Sequence, residues 1–267
     1  NVLEFDEQAG LGIEFWGGEP LVYWKTIKPL AEALVKKFAS WKVKPKLGMV
    51  TNGSLLTKEK CAWLYFMGFS VAISHDGPGQ FLRGPDPFDD PEKKKIILDF
   101  YNIMKSKNGM SFNAMLTKQN GSRKAIYDWF ANITGDPGVM IGEGGFVDLY
   151  NEVTKDTMLD TLEDHFKFRK KAFSDIYQYE SGLNFSATYA KINGFIGDVL
   201  SHTSSKYLTQ KCGMDSENII TVDLKGNVLT CQNVSSADIS HNGNSHCIGT
   251  LDDYNEVALN TATHWTK

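Results

Sequence analysis

The sequence lacks the features that mark several large classes of protein. No run of apolar residues approaches the roughly 20 that a transmembrane helix needs. The N-terminal segment Asn-Val-Leu-Glu-Phe-Asp-Glu has neither the basic nor the apolar region of a signal peptide. Lys and Arg (28) do not outnumber Asp and Glu (32) and are spread along the chain, which disfavours nucleic-acid binding. We therefore expect a cytoplasmic protein with no nucleic-acid or membrane partner.

Cysteine is also scarce, and its distribution is uneven. The chain has four cysteines, Cys61, Cys212, Cys231 and Cys247, and three of them lie in the last 56 residues. In a cytoplasmic chain, grouped cysteines are more typical of metal ligation than of disulfides. Spacing alone leaves open that these are three unrelated thiols.

Strand-like and helix-like segments alternate through the first half of the chain. Apolar residues at helical spacing separate five short segments that we interpret as strands. Asp90 followed by Pro91 is a strong helix start, with an acid at the N-cap and proline at the first helical position. Such alternation predicts an α/β fold with a parallel sheet. The five predicted strands lie at residues 12–16, 46–50, 69–74, 110–116 and 139–141.

The second half has a different pattern. Residues 154–179 predict one long helix, and residues 183–208 predict another. The predicted buried face of the first helix comprises Met158, Leu162, Phe166, Phe173 and Tyr177. After Cys212, residues 219–230 predict a β-hairpin with its turn at Asp-Leu-Lys-Gly-Asn.

Three glycine-bearing clusters follow the first three predicted strands. They are Gly-Gly-Glu-Pro at 17–20, Thr-Asn-Gly at 51–53 and His-Asp-Gly-Pro-Gly at 75–79. In parallel α/β sheets and barrels, ligands bind beyond the carboxyl ends of the strands. Each cluster read alone is a turn, but three at one edge predict a binding site for a small polar ligand.

These three motifs, in this order, resemble the radical S-adenosylmethionine (SAM) superfamily. The resemblance implies a partial (β/α)6 radical SAM barrel over residues 1–150, followed by a helical connector at 151–208. It also implies a set of cofactor-binding residues, with Gly17, Gly18 and Glu19 accepting hydrogen bonds from the SAM ammonium through backbone carbonyls and the acid. The implied cofactor-binding residues are Gly17, Gly18, Glu19, Thr51, Asn52, Ser74, Asp76 and Asn113.

The resemblance gives these residues separate roles. Thr51 and Asn52 would line the pocket, Ser74 would contact the methionine end, and Asn113 would face the same cavity. Asp76 would orient the ribose or its own loop, and the fifth strand (Met140 and Ile141) would flank the adenine. For three further polar residues, two roles are possible. Arg83 pairs with the SAM carboxylate or is solvated, His75 donates to substrate or caps a turn, and Glu143 faces substrate or belongs to a turn.

A second resemblance lies in the C-terminal segment. Cys212, thirteen residues, Gly226, four residues and Cys231 resemble the opening of the SPASM cysteine pattern. The resemblance implies that residues 209–267 are the N-terminal part of a SPASM domain. Cys212 and Cys231 would then ligate an auxiliary 4Fe–4S cluster, since thiolate is the usual ligand of such clusters. Cys247 with His246 or His241 could complete a metal site or lie in a plain loop.

The chain departs from the family pattern at both ends. The motif Cys-x-x-x-Cys-x-x-Cys, which holds the SAM-cleaving cluster, is absent, and the chain begins with Asn1 rather than Met. Cys61 lies beside Trp63 and Leu64 and is predicted to be a buried helical thiol. We expect a fragment that begins after the three-cysteine motif, stops before the last SPASM cysteines and does not cleave SAM by itself.

For the parent protein, the resemblance implies an enzyme with SAM and a 4Fe–4S cluster as cofactors. It would generate a 5′-deoxyadenosyl radical that abstracts hydrogen from a peptide or protein substrate, with flavodoxin or ferredoxin as reductant. Two alternatives remain. One is a conventional α/β-barrel enzyme with Glu14, Glu19 and Asp76 as acid–base carboxylates, and the other is a cluster-free binding module that keeps a SAM-like pocket.

Overall fold

A computed structural model describes residues 8, 10–107, 109–144, 159–178, 186–202, 219–229, 231–232, 234–237, 243 and 245–253. The chain divides into two compact units. The larger unit spans Glu7–Ser204, and the smaller comprises Asn1–Asp6 with Ser205–Lys267.

The larger unit contains a sheet of five parallel strands that lie side by side in chain order. This confirms the predicted α/β fold. The fifth strand begins later than its apolar run suggests, because a turn closed by Val139 N donating to Asp136 O precedes it. The strands are β1 (Gly12–Phe15), β2 (Lys46–Thr51), β3 (Phe69–Ser74), β4 (Met110–Met115) and β5 (Ile141–Gly144).

Helices connect the strands, and local capping sets where they begin. Thr57 Oγ1 accepts a hydrogen bond from Lys60 N, and Asp90 Oδ1 accepts from Glu92 N and Lys93 N. Such bonds satisfy backbone donors that a helix start leaves unpaired. The four connecting helices are α1 (Trp24–Lys37), α2 (Lys58–Phe66), α3 (Pro91–Met104) and α4 (Arg123–Thr134).

The two faces of the sheet differ in chemistry. Successive side chains of a strand point to opposite faces. One face carries large apolar side chains, such as Met49, Ile73 and Phe112, which pack with helix residues in a single core. The other face carries small and polar residues that line a groove of about 220 Å³. The groove residues include Glu14, Trp16, Gly48, Val50, Ser70, Ala72, Ser111 and Asn113.

Two further helices complete the described part of this unit, α5 (Leu162–Gln178) and α6 (Ser186–Ser201). The predicted inward face of α5 is wrong, because Leu162 is 90% exposed and Phe166 is 66% exposed. The helix contacts the rest of the unit through another face. Asp164 accepts from Lys118 Nζ, and Asp175 accepts from Ser122 Oγ. Polar bonds to Lys118 and Ser122, together with the packing of Phe168 on the core, therefore orient α5.

The smaller unit contains a three-stranded antiparallel sheet of β6 (Thr221–Val222), β7 (Asn227–Leu229) and β8 (Cys247–Thr250). The predicted hairpin is confirmed. Its turn is closed by Asp223, whose Oδ1 accepts from Lys225 N and Asn227 N, and by Gly226 with a φ of 85°. None of the helices in the described ranges combines the length and apolar character that crossing a membrane requires.

Candidate functional site

The three glycine-bearing clusters lie at one edge of the sheet. Each follows one of the adjacent parallel strands β1, β2 and β3, so all three loops leave from the same carboxyl edge. Ligands bind at this edge in parallel α/β sheets and barrels. The edge is therefore the candidate site.

Gly17 and Gly18 give the first loop its conformation. Their φ angles are 86° and 49°, in the left-handed region that side chains disfavour. A Cβ atom built on either residue would meet nothing within 4 Å. Backbone conformation, not packing, therefore requires glycine here, and the space beside the loop is open to a ligand.

Glu19 links this loop to the end of β2. Its Oε1 accepts from Leu21 N at 3.0 Å and from Thr51 Oγ1 at 2.7 Å, and its Oε2 accepts from Asn52 N at 2.8 Å. A carboxylate offers about four acceptor positions, so most of this one's capacity is used within the protein. Sequence reasoning assigned the acid to the ligand and did not foresee that it holds two loops together.

The polar side chains of the second loop are also engaged. Thr51 is 1% exposed, and its Oγ1 accepts from Gly53 N while donating to Glu19. Asn52 Oδ1 accepts from both the backbone N and the Oγ of Ser54. These bonds shape the loop, so its backbone groups are held in place before any ligand binds.

Asp76 performs a similar linking role between β3 and β4. Its Oδ1 accepts from Met115 N at 2.7 Å and from Arg83 Nη2 at 2.8 Å, and its carbonyl oxygen accepts from Asn120 Nδ2. Burial raises the pKa of Asp76, although the Arg83 guanidinium opposes this effect. Of the roles proposed for Asp76, the structure shows orientation of its own loop. Arg83 is an ion-pair partner of Asp76 rather than a solvated side chain.

Asn120 is a residue of this region that sequence reasoning missed. A Cβ atom on Gly79 would lie 2.3 Å from Asn120 Cγ, so the glycine is required for their close approach. The Gly-Pro-Gly run after β3 was the available signal, but it does not indicate which side chain fills the space.

His75 lies on the helix-covered side of the sheet and is fully buried. Its Nδ1 accepts from Gly77 N, so the proton of the neutral ring is on Nε2, which donates to Asp86 Oδ1 at 2.9 Å. The ring stacks on Trp129 with a centroid separation of 4.7 Å. Burial lowers the pKa of His75. The turn-capping interpretation of this residue therefore describes the structure, and donation to substrate does not.

Ser74 and Asn113 lie opposite each other at the upper end of the groove, and Asn113 lies opposite Gly142 of β5. A Cβ atom on Gly142 would lie 1.9 Å from Asn113 Oδ1. The glycine therefore creates the space that the Asn113 side chain occupies. No larger residue fits at position 142 unless Asn113 moves.

The expected contribution of β5 needs correction. Ile141 is fully buried in the core beneath the sheet, so of the predicted adenine-flanking pair only Met140, which is 40% exposed, is accessible. Glu143 accepts two hydrogen bonds from Arg123, at 2.8 Å from Nε and 2.7 Å from Nη2. It is held in β5 by an ion pair with Arg123, so it does not belong to a turn.

The described cysteines do not assemble a metal site. Within the part of the chain that the structure describes, no group of three or more His, Cys, Asp or Glu side chains could hold a metal ion. Cys61 is buried in α2, as predicted, and burial raises its pKa to about 12. Cys231 and Cys247 are half-buried, while Cys212 lies outside the described residues, so the auxiliary-cluster assignment stays a prediction.

Comparisons with known proteins show similarity in sequence to one protein and in fold to several solved structures. No protein-family model matches it. The radical SAM cyclopropyl synthase TigE of Paramaledivibacter caminithermalis is 28% identical over 173 residues, which cover 63% of this chain and 33% of TigE. Native anSMEcpe with bound AdoMet superposes with a TM-score of 0.66 at 21% identity, covering 95% of this chain and 68% of that one. The chain is thus similar in sequence to part of TigE and similar in fold to anSMEcpe.

A second radical SAM structure matches in the same way. Native anSMEcpe with bound AdoMet and the Kp18Cys peptide superposes with a TM-score of 0.62 at 20% identity, covering 94% of this chain and 68% of that one. The five-stranded parallel sheet thus has the radical SAM fold. The chain spans one third of the length of TigE.

Proposed function

We propose that this chain is the SAM-binding part of a radical SAM enzyme that modifies a peptide or protein. The observation that carries this proposal is the arrangement at the carboxyl edge, where the open Gly17-Gly18 loop lies beside the Thr51-Asn52 loop and is joined to it by Glu19. The likeness to TigE and to AdoMet-bound anSMEcpe supports it.

The residues present fit SAM. The two left-handed glycines leave backbone carbonyl groups beside open space, and a ligand ammonium in a partly desolvated site needs such acceptors. Ser74 and Asn113 offer polar groups at the upper end of the groove, in the space that Gly142 leaves. When bound beside a reduced 4Fe–4S cluster, SAM supplies the radical chemistry, while the protein supplies binding, orientation and shielding.

Glu19 and Asp76 have the role of positioning residues in this proposal. Each accepts hydrogen bonds from the backbone of a neighbouring strand end, at Asn52 and Met115 respectively. A carboxylate engaged in this way is poorly placed to exchange protons with a substrate. These contacts favour the radical SAM function over the conventional acid–base alternative.

The proposed substrate and partners are supported by the matched structures and by the sequence resemblance, not by contacts at the site. A peptide is bound in one of the matched anSMEcpe structures, and this supports a peptide or protein substrate here. The flavodoxin or ferredoxin reductant, the cytoplasmic location and an auxiliary cluster at Cys212 and Cys231 rest on the sequence resemblance alone. They stay predictions.

A pair of glycine variants tests SAM binding. Gly17→Ala should weaken SAM binding about tenfold, because a left-handed position resists a side chain and the loop must shift. Gly135→Ala is the matched control, since Gly135 also has a positive φ, of 64°, and open space around it, but it ends α4. Both variants should lose about 1 kcal/mol of stability. Binding is measured by calorimetric titration of SAM into the 267-residue chain.

Equal SAM affinity in the two glycine variants would contradict the proposed binding loop. The activity of the whole protein has a separate test. A protein that joins this chain to a Cys-x-x-x-Cys-x-x-Cys segment should form 5′-deoxyadenosine from SAM under a strong reductant. A folded, iron-loaded protein that binds SAM but forms none would favour the binding-module alternative.

A further inference from the structure

Glu14 differs from every other acid described at this site. It lies in the middle of β1 on the open face of the sheet, and among the described residues its carboxylate makes no hydrogen bond or ion pair. Glu19, Asp76 and Glu143 each accept at least two hydrogen bonds from the protein. Glu14 is therefore the one of these four whose charge is available to a ligand.

The surroundings of Glu14 suit a cation. A Cβ atom on Gly48, the residue opposite in β2, would lie 3.0 Å from Glu14 Cγ, so the glycine leaves room for the acid to lie across the sheet. Ser70 is next in the same row, and Ser111 follows in the row above. No Lys, Arg or His is among the described residues that line the groove, and the basic residue nearest in register, Lys46, is exposed one row below on the same face of β2 and makes no ion pair with Glu14 among the described residues.

The groove changes character along its length. The row above Glu14 is apolar at Trp16, Val50 and Ala72 and ends at Ser111, and above that row lie the polar residues Ser74 and Asn113. A side chain with an aliphatic stem and a cationic end would place its stem along the apolar row and its charge beside Glu14. Lysine and arginine side chains have that chemistry.

A cationic side chain bound at Glu14 would differ from SAM both in its position in the groove and in its size. Ser70, in the Glu14 row, is four residues below Ser74 along β3, which corresponds to about 13 Å at about 3.3 Å per residue. A carboxylate at that depth does not reach the ammonium of a cofactor held at the carboxyl edge. The groove volume of about 220 Å³ also lies below the roughly 300–1,000 Å³ of pockets for whole small-molecule ligands.

We propose that Glu14, with Ser70 beside it, binds the cationic end of a basic side chain of the substrate, an ammonium or a guanidinium. This inference rests on the proposed function and adds a preference for lysine or arginine in the substrate. The groove then selects by charge at its lower end and by stem length along the apolar row.

The test uses amino-acid amides as probes. N-acetyl-lysine methylamide and N-acetyl-arginine methylamide are titrated into the 267-residue chain, with uncharged N-acetyl-norleucine methylamide as the comparison. At least one basic probe should bind more tightly than the norleucine probe. Glu14→Gln should weaken that binding about fivefold, as expected for one partly exposed ion pair. Glu92→Gln, which removes an exposed carboxylate of α3, should leave the affinity unchanged.

Three results would overturn the inference. The norleucine probe binds as well as both basic probes, or Glu14→Gln leaves their affinities unchanged, or Glu14→Gln weakens SAM binding as much as probe binding. In the last case the carboxylate serves the cofactor. High salt supplies a further check, because at about 1 M the Debye length is about 3 Å and the preference for the basic probes should shrink. SAM titration of the Gly17 and Gly135 variants is independent of these outcomes, so failure of the cation site and failure of the proposed function are distinguishable.

Discussion

Replacing Glu19 by alanine should both destabilise the larger unit and weaken SAM binding. The carboxylate accepts from Leu21 N, Thr51 Oγ1 and Asn52 N, and these three donors lose their acceptor in Glu19→Ala. Leu21 is 2% exposed and Thr51 is 1% exposed, so their donors are shielded from water, whereas Asn52 is exposed and regains a water partner. The loss of folding stability therefore comes mainly from the donors of Leu21 and Thr51.

The expected magnitude follows from those two donors. Leaving a buried donor unsatisfied costs about 1–3 kcal/mol, and water entering the space left by the side chain reduces that cost, so we expect a total of about 2 kcal/mol. For a unit of this size, about 2 kcal/mol corresponds to a fall in Tm of about 4–8 °C. The SAM affinity should fall about tenfold, because the Gly17-Gly18 loop is no longer joined to β2.

Thermal unfolding followed by circular dichroism measures the first effect, and calorimetric titration of SAM measures the second. Glu14→Gln is the control, since it removes an acid of β1, the strand that precedes Glu19, that has no partner among the described residues, and its stability should change by less than about 0.5 kcal/mol. Thr51→Val removes the hydroxyl partner, so its effect and that of Glu19→Ala should not be additive. The reasoning fails if Glu19→Ala weakens SAM binding with no change in Tm, because Glu19 would then act on the ligand directly.

Two further predictions concern the groove and the core. Gly142→Ala should weaken SAM binding more than the control Gly135→Ala, because its Cβ would lie 1.9 Å from Asn113 Oδ1, and equal titration curves would contradict this. Burial lowers the pKa of His75, so the unfolded chain takes up the proton first and stability should fall as the pH drops below about 6.5. Urea unfolding at about pH 7.5 and 5.5 should show a smaller pH dependence for His75→Phe than for the native chain, and an identical dependence would exclude His75 as a source.

The elements of the larger unit follow from local chemistry, which is why the sequence predicts them. Thr57 and Asp90 cap helices through bonds to residues two or three positions away. The first three strands are short runs followed directly by glycine-bearing clusters. The order of these elements, with a helix after each of the first four strands, predicts parallel pairing, and hence three loops at one edge.

The contacts at that edge could not be predicted in the same way. Glu19 bonds to residues 32 and 33 positions later, and Asp76 bonds to Met115, 39 positions later. Periodicity and motifs do not indicate such partners, because they depend on how separate strands align. The same limit explains α5, where Leu162 and Phe166 are exposed while Phe168 packs on the core and Asp164 and Asp175 bond to the segment before α4.

The sequence by itself determined that three glycine-bearing loops lie at one edge of a parallel sheet. Only the tertiary structure decided what the acidic residues of that sheet and its loops do. Motif and resemblance assigned Glu19 to the ligand and left two interpretations each for Asp76 and Glu143. Sheet register places Glu14 on the open face with no partner in the described part of the chain, and it places the other three beside donors from distant parts of the chain. The role of an acid depends on which donors surround it, and folding brings those donors together.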